Sequence, residues 1–174
     1  MKILKYFYLV LLLSIISCKN DSKTISKIGH IHTSIKKEFA PDKRVELFDI
    51  QFSTSNRKII LTGETTSKKA FSILLDSLKN RKLTFVNNVR MLPDSVVGNQ
   101  QYAVARNSVI NIRSKPKHSA ELGTQGLLGM SLKVLDKKGD FYRIQTPDHY
   151  ISWVDKGGIT KMTKDTFDRW SASK

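Results

Sequence analysis

The chain has 174 residues, with 30 basic and 15 acidic side chains, a formal charge of +15, and a single cysteine. That length holds one ordinary domain or two small ones, and one cysteine excludes an intramolecular disulfide. The basic residues are scattered, in pairs such as Lys36-Lys37, Lys68-Lys69 and Lys137-Lys138 with no longer run and no aromatic–basic platform, so nucleic acid is not expected as a partner.

At the start, Lys2 and Lys5 precede an apolar run from Tyr6 to Ile16, then Ser17, Cys18 and the polar stretch Lys19-Asn20-Asp21-Ser22-Lys23. The run is too short to span a bilayer, which takes about 20 apolar residues. A small residue directly before the cysteine resembles the lipobox of a bacterial lipoprotein signal peptide. The resemblance implies that residues 1–17 are removed, that Cys18 is the lipidation site, and that several acyl chains then hold the protein stably in a membrane. Lys19 is not the acidic residue of an inner-membrane retention signal. The expectation is therefore an outer-membrane lipoprotein facing the periplasm, with surface exposure as an alternative. A cleaved secretory signal with an incidental cysteine, or an uncleaved anchor, are the other readings.

Residues 18–28, rich in Ser and Lys, read as a flexible tether. A small α+β unit is expected over 29–93. Gly29 to Phe39 contains a short helix. Arg44 to Phe52 suits a strand with Phe48, Ile50 and Phe52 on one face. A polar turn at 53–56 leads into a second strand, Lys58 to Glu64, forming a hairpin. Ala70, Phe71, Leu74, Leu75 and Leu78 recur at helical spacing behind Ser67 as N-cap, and Leu83 to Leu92 is a further strand. The unit, and Ile60-Leu61-Thr62-Gly63-Glu64-Thr65 in particular, resembles BON-type domains of bacterial envelope proteins. Glu46, Asp49, Glu64 and Asp76 read as solvated carboxylates, and His30 and His32 as solvated side chains rather than metal ligands.

Residues 94–100 read as a linker. Beyond it come short strands at Gln101 to Arg106, Ser108 to Arg113, Met130 to Asp136, Phe141 to Thr146 and Tyr150 to Val154. Turn residues separate them at the spacing of a small all-β barrel over 101–161. Leu127, Leu132, Val134, Ile144 and Val154 are the expected core. Gly129 and Gly139 suit tight corners, Arg113 suits a donor to a turn, and Trp153 suits core or rim packing. Thr163 to Trp170 reads as a helix, within a closing segment at 162–174.

Asn111-Ile112-Arg113-Ser114-Lys115-Pro116, Glu121-Leu122, Gln125 to Gly129, Phe141 to Ile144, Thr146-Pro147-Asp148, Tyr150 and Trp153-Val154 together resemble a bacterial SH3 (SH3b) domain. The fold class expected is thus an α+β N-terminal unit followed by a small all-β SH3b barrel. Through Phe39-Ala40-Pro41-Asp42-Lys43-Arg44-Val45, Asn111 to Leu122 and Trp153 to Gly158, the chain from Cys18 onward also resembles the N-terminal half of Bacteroidetes NlpC-type cysteine peptidases, which cut γ-D-glutamyl–diamino acid bonds in cell-wall peptides. In that family an acidic residue and a tyrosine of the first SH3b domain hold the free amine of the peptide's L-Ala. The matching positions here are Glu121 and Tyr150, whose oxygens can accept hydrogen bonds from an ammonium. His149 and Ser152 stand where the family usually has glycine, and a side chain at either place is expected to narrow or reshape the groove.

Cys18 is the only thiol, so the cysteine–histidine chemistry of that family has no nucleophile in this sequence, and no catalytic residue, metal ligand or cofactor is assigned. The reading that follows is a lipid-anchored protein recognising peptidoglycan peptides without cleaving them. One alternative is a truncated or split non-catalytic half of such a peptidase, working with a separate catalytic domain. Another is a structural envelope protein that binds a protein partner.

Overall fold

A computed structural model describes residues 23–56 and 58–173. Cys18 and the segment before it lie outside the described residues. The fold is mostly β, arranged as a three-stranded sheet with two helices and a seven-stranded barrel sheet followed by a third helix.

Residues 23–39 form helix α1. Ile28 and Ile35 are buried, with Ile31 and Phe39 packed beside them, the three- and four-residue spacing that places side chains on one helical face. The expectation of a tether reaching residue 28 is therefore corrected: 23–28 are helical, and Ile28 is fully buried. Strand β1 is Phe48–Ser55 and β2 is Lys58–Thr65, paired antiparallel. The first strand begins four residues later than the apolar pattern suggests. Asp42 explains this: its carbonyl accepts from the amides of Val45 and Glu46, and its carboxylate from that of Arg44, folding 42–46 into a turn.

Helix α2, Lys68–Asn80, carries β2 over to β3, Phe85–Met91, which pairs parallel to β2. The Ser67 hydroxyl accepts from the Ala70 amide, as expected of an N-cap. Both helices cover one face of the sheet, where Phe48, Ile50, Ile59, Leu61, Leu74 and Leu78 form the core. His32 belongs to this core, contrary to the solvated reading. Its ring stacks on Phe48 at 4.9 Å and meets Phe52 edge-on at 5.5 Å. At Gly63 the backbone adopts φ 116°, and a Cβ there would lie 2.0 Å from the Asp49 carbonyl oxygen.

The stretch read as a linker is docked. A 3₁₀ turn at Ser95–Val97 puts Val97 into the barrel core, and the Asp94 amide donates to the Leu135 carbonyl at 2.8 Å. The barrel strands are β4 Tyr102–Ala105, β5 Val109–Arg113, β6 Leu122–Leu127, β7 Ser131–Lys138, β8 Phe141–Gln145, β9 Ile151–Asp155 and β10 Ile159–Met162. Their order is β10-β4-β7-β8-β9-β5-β6. Strands β6 and β10 have no clear signal in the sequence, because β6 is exposed along most of its length and β10 has only four residues.

The core holds Ile110, Ile112, Leu132, Val134, Ile144, Val154 and Ile159. Leu127 is not among them: it is 66% exposed, and the buried position on that strand is Gly126. Glycine fits closely there, since a Cβ would stand 3.0 Å from both Ile110 and Met130 and those side chains would have to give way. Helix α3, Lys164–Ala172, capped by Thr163, lays Phe167 on Tyr102 at 5.0 Å.

The sheet and the barrel meet in two ways. Leu92 and Leu47 pack with Leu135 and Ile151 in a small apolar cluster. Around it, Arg90 reaches Asp94 at 2.8 Å, Asp136 at 2.9 Å and Glu64 at 3.6 Å, while Arg143 pairs with Glu64. Glu64 is thus a half-buried ion-pair partner rather than a solvated carboxylate.

Candidate functional site

The two residues singled out for ligand binding come from adjoining stretches of the barrel. Glu121 is exposed and immediately precedes β6, where its carbonyl accepts from the Ser114 amide at 3.0 Å. Tyr150 is half-buried and immediately precedes β9. Its phenol reaches across to β6: a Cβ on Gly123 would lie 2.4 Å from the Tyr150 hydroxyl oxygen and 3.5 Å from the Ile112 carbonyl oxygen. Gly123 sits where the β5–β6 register shifts, with Ile112 opposite Thr124 and Arg113 opposite Leu122. A bulge at that point and the missing side chain let the phenol lie against the strand two residues from Glu121. Gly123 was not singled out from the sequence; an isolated glycine within a strand is the signal that could have found it.

The loop leading to Glu121 is held from beneath. Arg113 donates through Nη1 to the Ala120 carbonyl at 2.8 Å, the role expected of it. The Ser152 hydroxyl donates to the Arg113 carbonyl. Ser152 is buried and bonded within the sheet, which corrects the expectation that it narrows a groove. His149 is exposed with φ 68°. That left-handed backbone is where glycine is favoured, so the unusual residue here changes the turn's chemistry and leaves its path intact.

The α+β unit supplies one wall. The Ile151 amide donates to the Arg44 carbonyl at 2.6 Å, and Gln145 Nε2 donates to the Val45 carbonyl at 3.0 Å. Arg44 is clamped by Asp42, with Nε 3.1 Å from both carboxylate oxygens and Nη2 2.8 Å from one. These bonds hold Asp42 at a pKa of about 2 and raise Arg44, to which the nearby Tyr150 phenol adds a smaller electrostatic contribution. The clamp matters chemically. Asp42 thereby offsets the guanidinium charge near Tyr150. Beside His149 a recess of about 220 Å³ contains Glu46 and Lys133.

A second recess of about 310 Å³ lies along β5 and β9 and includes Asn111, Arg113, His118, Phe141 and Asp155. His118 Nε2 stands 3.5 Å from Asp155, and its ring lies 5.0 Å from Phe141. The lining residues include no hydroxyl or thiol side chain beside this histidine–carboxylate pair. Among the described residues no group of three or more His, Cys, Asp or Glu side chains could hold a metal ion.

Residues 112–159 match the family model described as the bacterial dipeptidyl-peptidase SH3 domain. The matched segment runs from β5 through β9 to the first residue of β10, and contains Glu121, Gly123 and Tyr150. The match supports an SH3b domain in the barrel, a domain type that fits a binding module. No curated protein matches the chain.

Proposed function

We propose that the chain is a lipid-anchored envelope protein whose SH3b barrel recognises cell-wall peptides by their free N-terminal amine, without cleaving them itself. The observation that supports this most directly is the Tyr150 phenol lying against Gly123, two residues from Glu121, inside a segment that matches a peptidase SH3 domain. A carboxylate and a phenol oxygen together can accept two hydrogen bonds from an ammonium. A cation for the carboxylates of a γ-D-glutamyl peptide is Lys133, which lines with Glu46 the recess that includes His149, the residue before Tyr150. The anchor is Cys18, supported by Lys2, Lys5, the apolar run and Ser17 before it, and the membrane is the outer one, with the barrel facing the periplasm.

Calorimetric titration with L-Ala-γ-D-Glu-diaminopimelate tests the binding. Saturable one-to-one binding without cleavage of the peptide is expected. No heat and no chemical-shift change at millimolar peptide would remove the reading.

The family description names a peptidase, which favours a second reading in which the barrel presents the peptide to a catalytic domain on another chain. Mixing the protein with a γ-D-glutamyl endopeptidase from the same envelope should then lower the enzyme's KM for free-amine peptides. An unchanged KM, with binding intact, leaves recognition as the whole function.

A further inference from the structure

The first turns of α1 and the end of α2 enclose a cleft of about 290 Å³, lined by Thr24, Lys27, Ile28, Ile31, Arg81 and Leu83. Its floor is apolar: Ile28 is fully buried, and Ile31 and Leu83 pack against the same core. Its rim is cationic. Lys27 and Arg81 line it and are exposed, and Lys23 and Lys82, also exposed, lie one helical turn before the first and one residue after the second. No acidic residue occurs in α1 before Glu38, at its far end.

Apolar floor and cationic rim suit an anionic amphiphile: the aliphatic part covers the isoleucines and the head meets the cations. The length of chain before the cleft says which one. Lys23 is five residues from Cys18, so full extension puts it at most about 18 Å from the thiol. If Cys18 carries acyl chains, this end of the α+β unit stays near the leaflet. There each cation within about 10 Å of the surface adds to the attraction.

We propose that this cleft seats an anionic phospholipid of the leaflet that holds the Cys18 acyl chains. The site docks the α+β unit on the membrane at the α1–α2 end. The proposal rests on the lipid-anchor reading above.

The test uses the acylated protein, purified from membranes and inserted through its own anchor into phosphatidylcholine vesicles with or without about one-third phosphatidylglycerol. Intact mass comes first. A missing acyl mass overturns the anchor reading, and the exchange experiment is then run with the unacylated protein added to the same vesicles. Amide exchange over 24–31 and 78–83 should be at least about tenfold slower on the anionic vesicles, with the difference lost in high salt. The pair Lys27→Glu and Arg81→Glu should abolish the contrast. The equally charge-changing pair Lys37→Glu and Lys43→Glu, both exposed and outside the cleft, should retain it. Equal exchange on the two vesicles overturns the proposal. So does equal protection in detergent, which would mean that the chain's own N-terminal segment covers the cleft.

Discussion

Arg143 in the middle of the SH3b barrel donates to Glu64 at the end of the three-stranded sheet, while its guanidinium lies 4.7 Å from the Trp153 ring centre. One side chain thus joins the two halves and covers the barrel's buried tryptophan. Both members of the ion pair are largely shielded, at 16% and 23% side-chain exposure. Removing one leaves the other poorly solvated.

Arg143→Ala should therefore lower stability by about 2 kcal/mol. It should also separate the unfolding of the halves. Urea titrations followed by tryptophan fluorescence, which reports the barrel and α3 through Trp153 and Trp170, and by far-UV circular dichroism should cease to coincide. Coincident curves with an unchanged midpoint would show that the apolar cluster of Leu47, Leu92, Leu135 and Ile151 joins the halves unaided.

Gly63→Ala should cost about 3 kcal/mol, because φ 116° and a Cβ 2.0 Å from the Asp49 carbonyl oxygen are both incompatible with a side chain. The thermal midpoint measures it. A midpoint within a degree of the native one would mean that β1 can shift away from β2 there without loss.

Gly123→Ala acts on the site. The added methyl would meet the Tyr150 hydroxyl, the far end of a side chain rather than backbone, so the phenol must rotate away while the barrel survives. Peptide affinity should fall by about tenfold or more, with a small change in melting temperature. Unchanged affinity would remove Tyr150 from the ligand contact.

His32 gives the fold a pH dependence. Burial between Phe48 and Phe52 lowers its pKa from 6.5, and Lys36 lowers it further, against smaller opposing effects of the Phe48 backbone and Asp49. The unfolded chain therefore binds the proton more readily than the folded one. Stability is full above about pH 6.5 and declines as pH falls from there toward the depressed folded value. His32→Phe keeps the stack without the titration. It should flatten the stability profile between about pH 7 and pH 5, measured by urea midpoints. Parallel profiles for the two proteins would assign the dependence elsewhere.

Much of this arrangement is legible in the residues and some is not. Alternation around Ile110 and Ile112 and helical spacing through Leu74 and Leu78 report burial directly, and the structure follows them. Leu127 fails because hydrophobicity alone does not tell a core leucine from an exposed one on the outer strand β6. His32 and Glu64 fail because their partners, Phe48 and Arg143, are 16 and 79 residues away, and polar side chains announce burial only once such partners are known. Glu121 and Tyr150 enter only through resemblance; Gly123 carries a faint signal as a glycine within a strand, and the Asp42–Arg44 clamp emerges only from the fold.

Recognition of a free amine through Glu121 and Tyr150 is the central claim, and one comparison addresses it. Affinities for L-Ala-γ-D-Glu-diaminopimelate and its N-acetylated form should be measured by calorimetry on the native protein, Glu121→Gln and Tyr150→Phe. The native protein should prefer the free amine by about tenfold or more, and Glu121→Gln should bring the two peptides close to equal affinity. Equal affinity of the native protein for both peptides, or a preference that survives in both variants, would contradict the account.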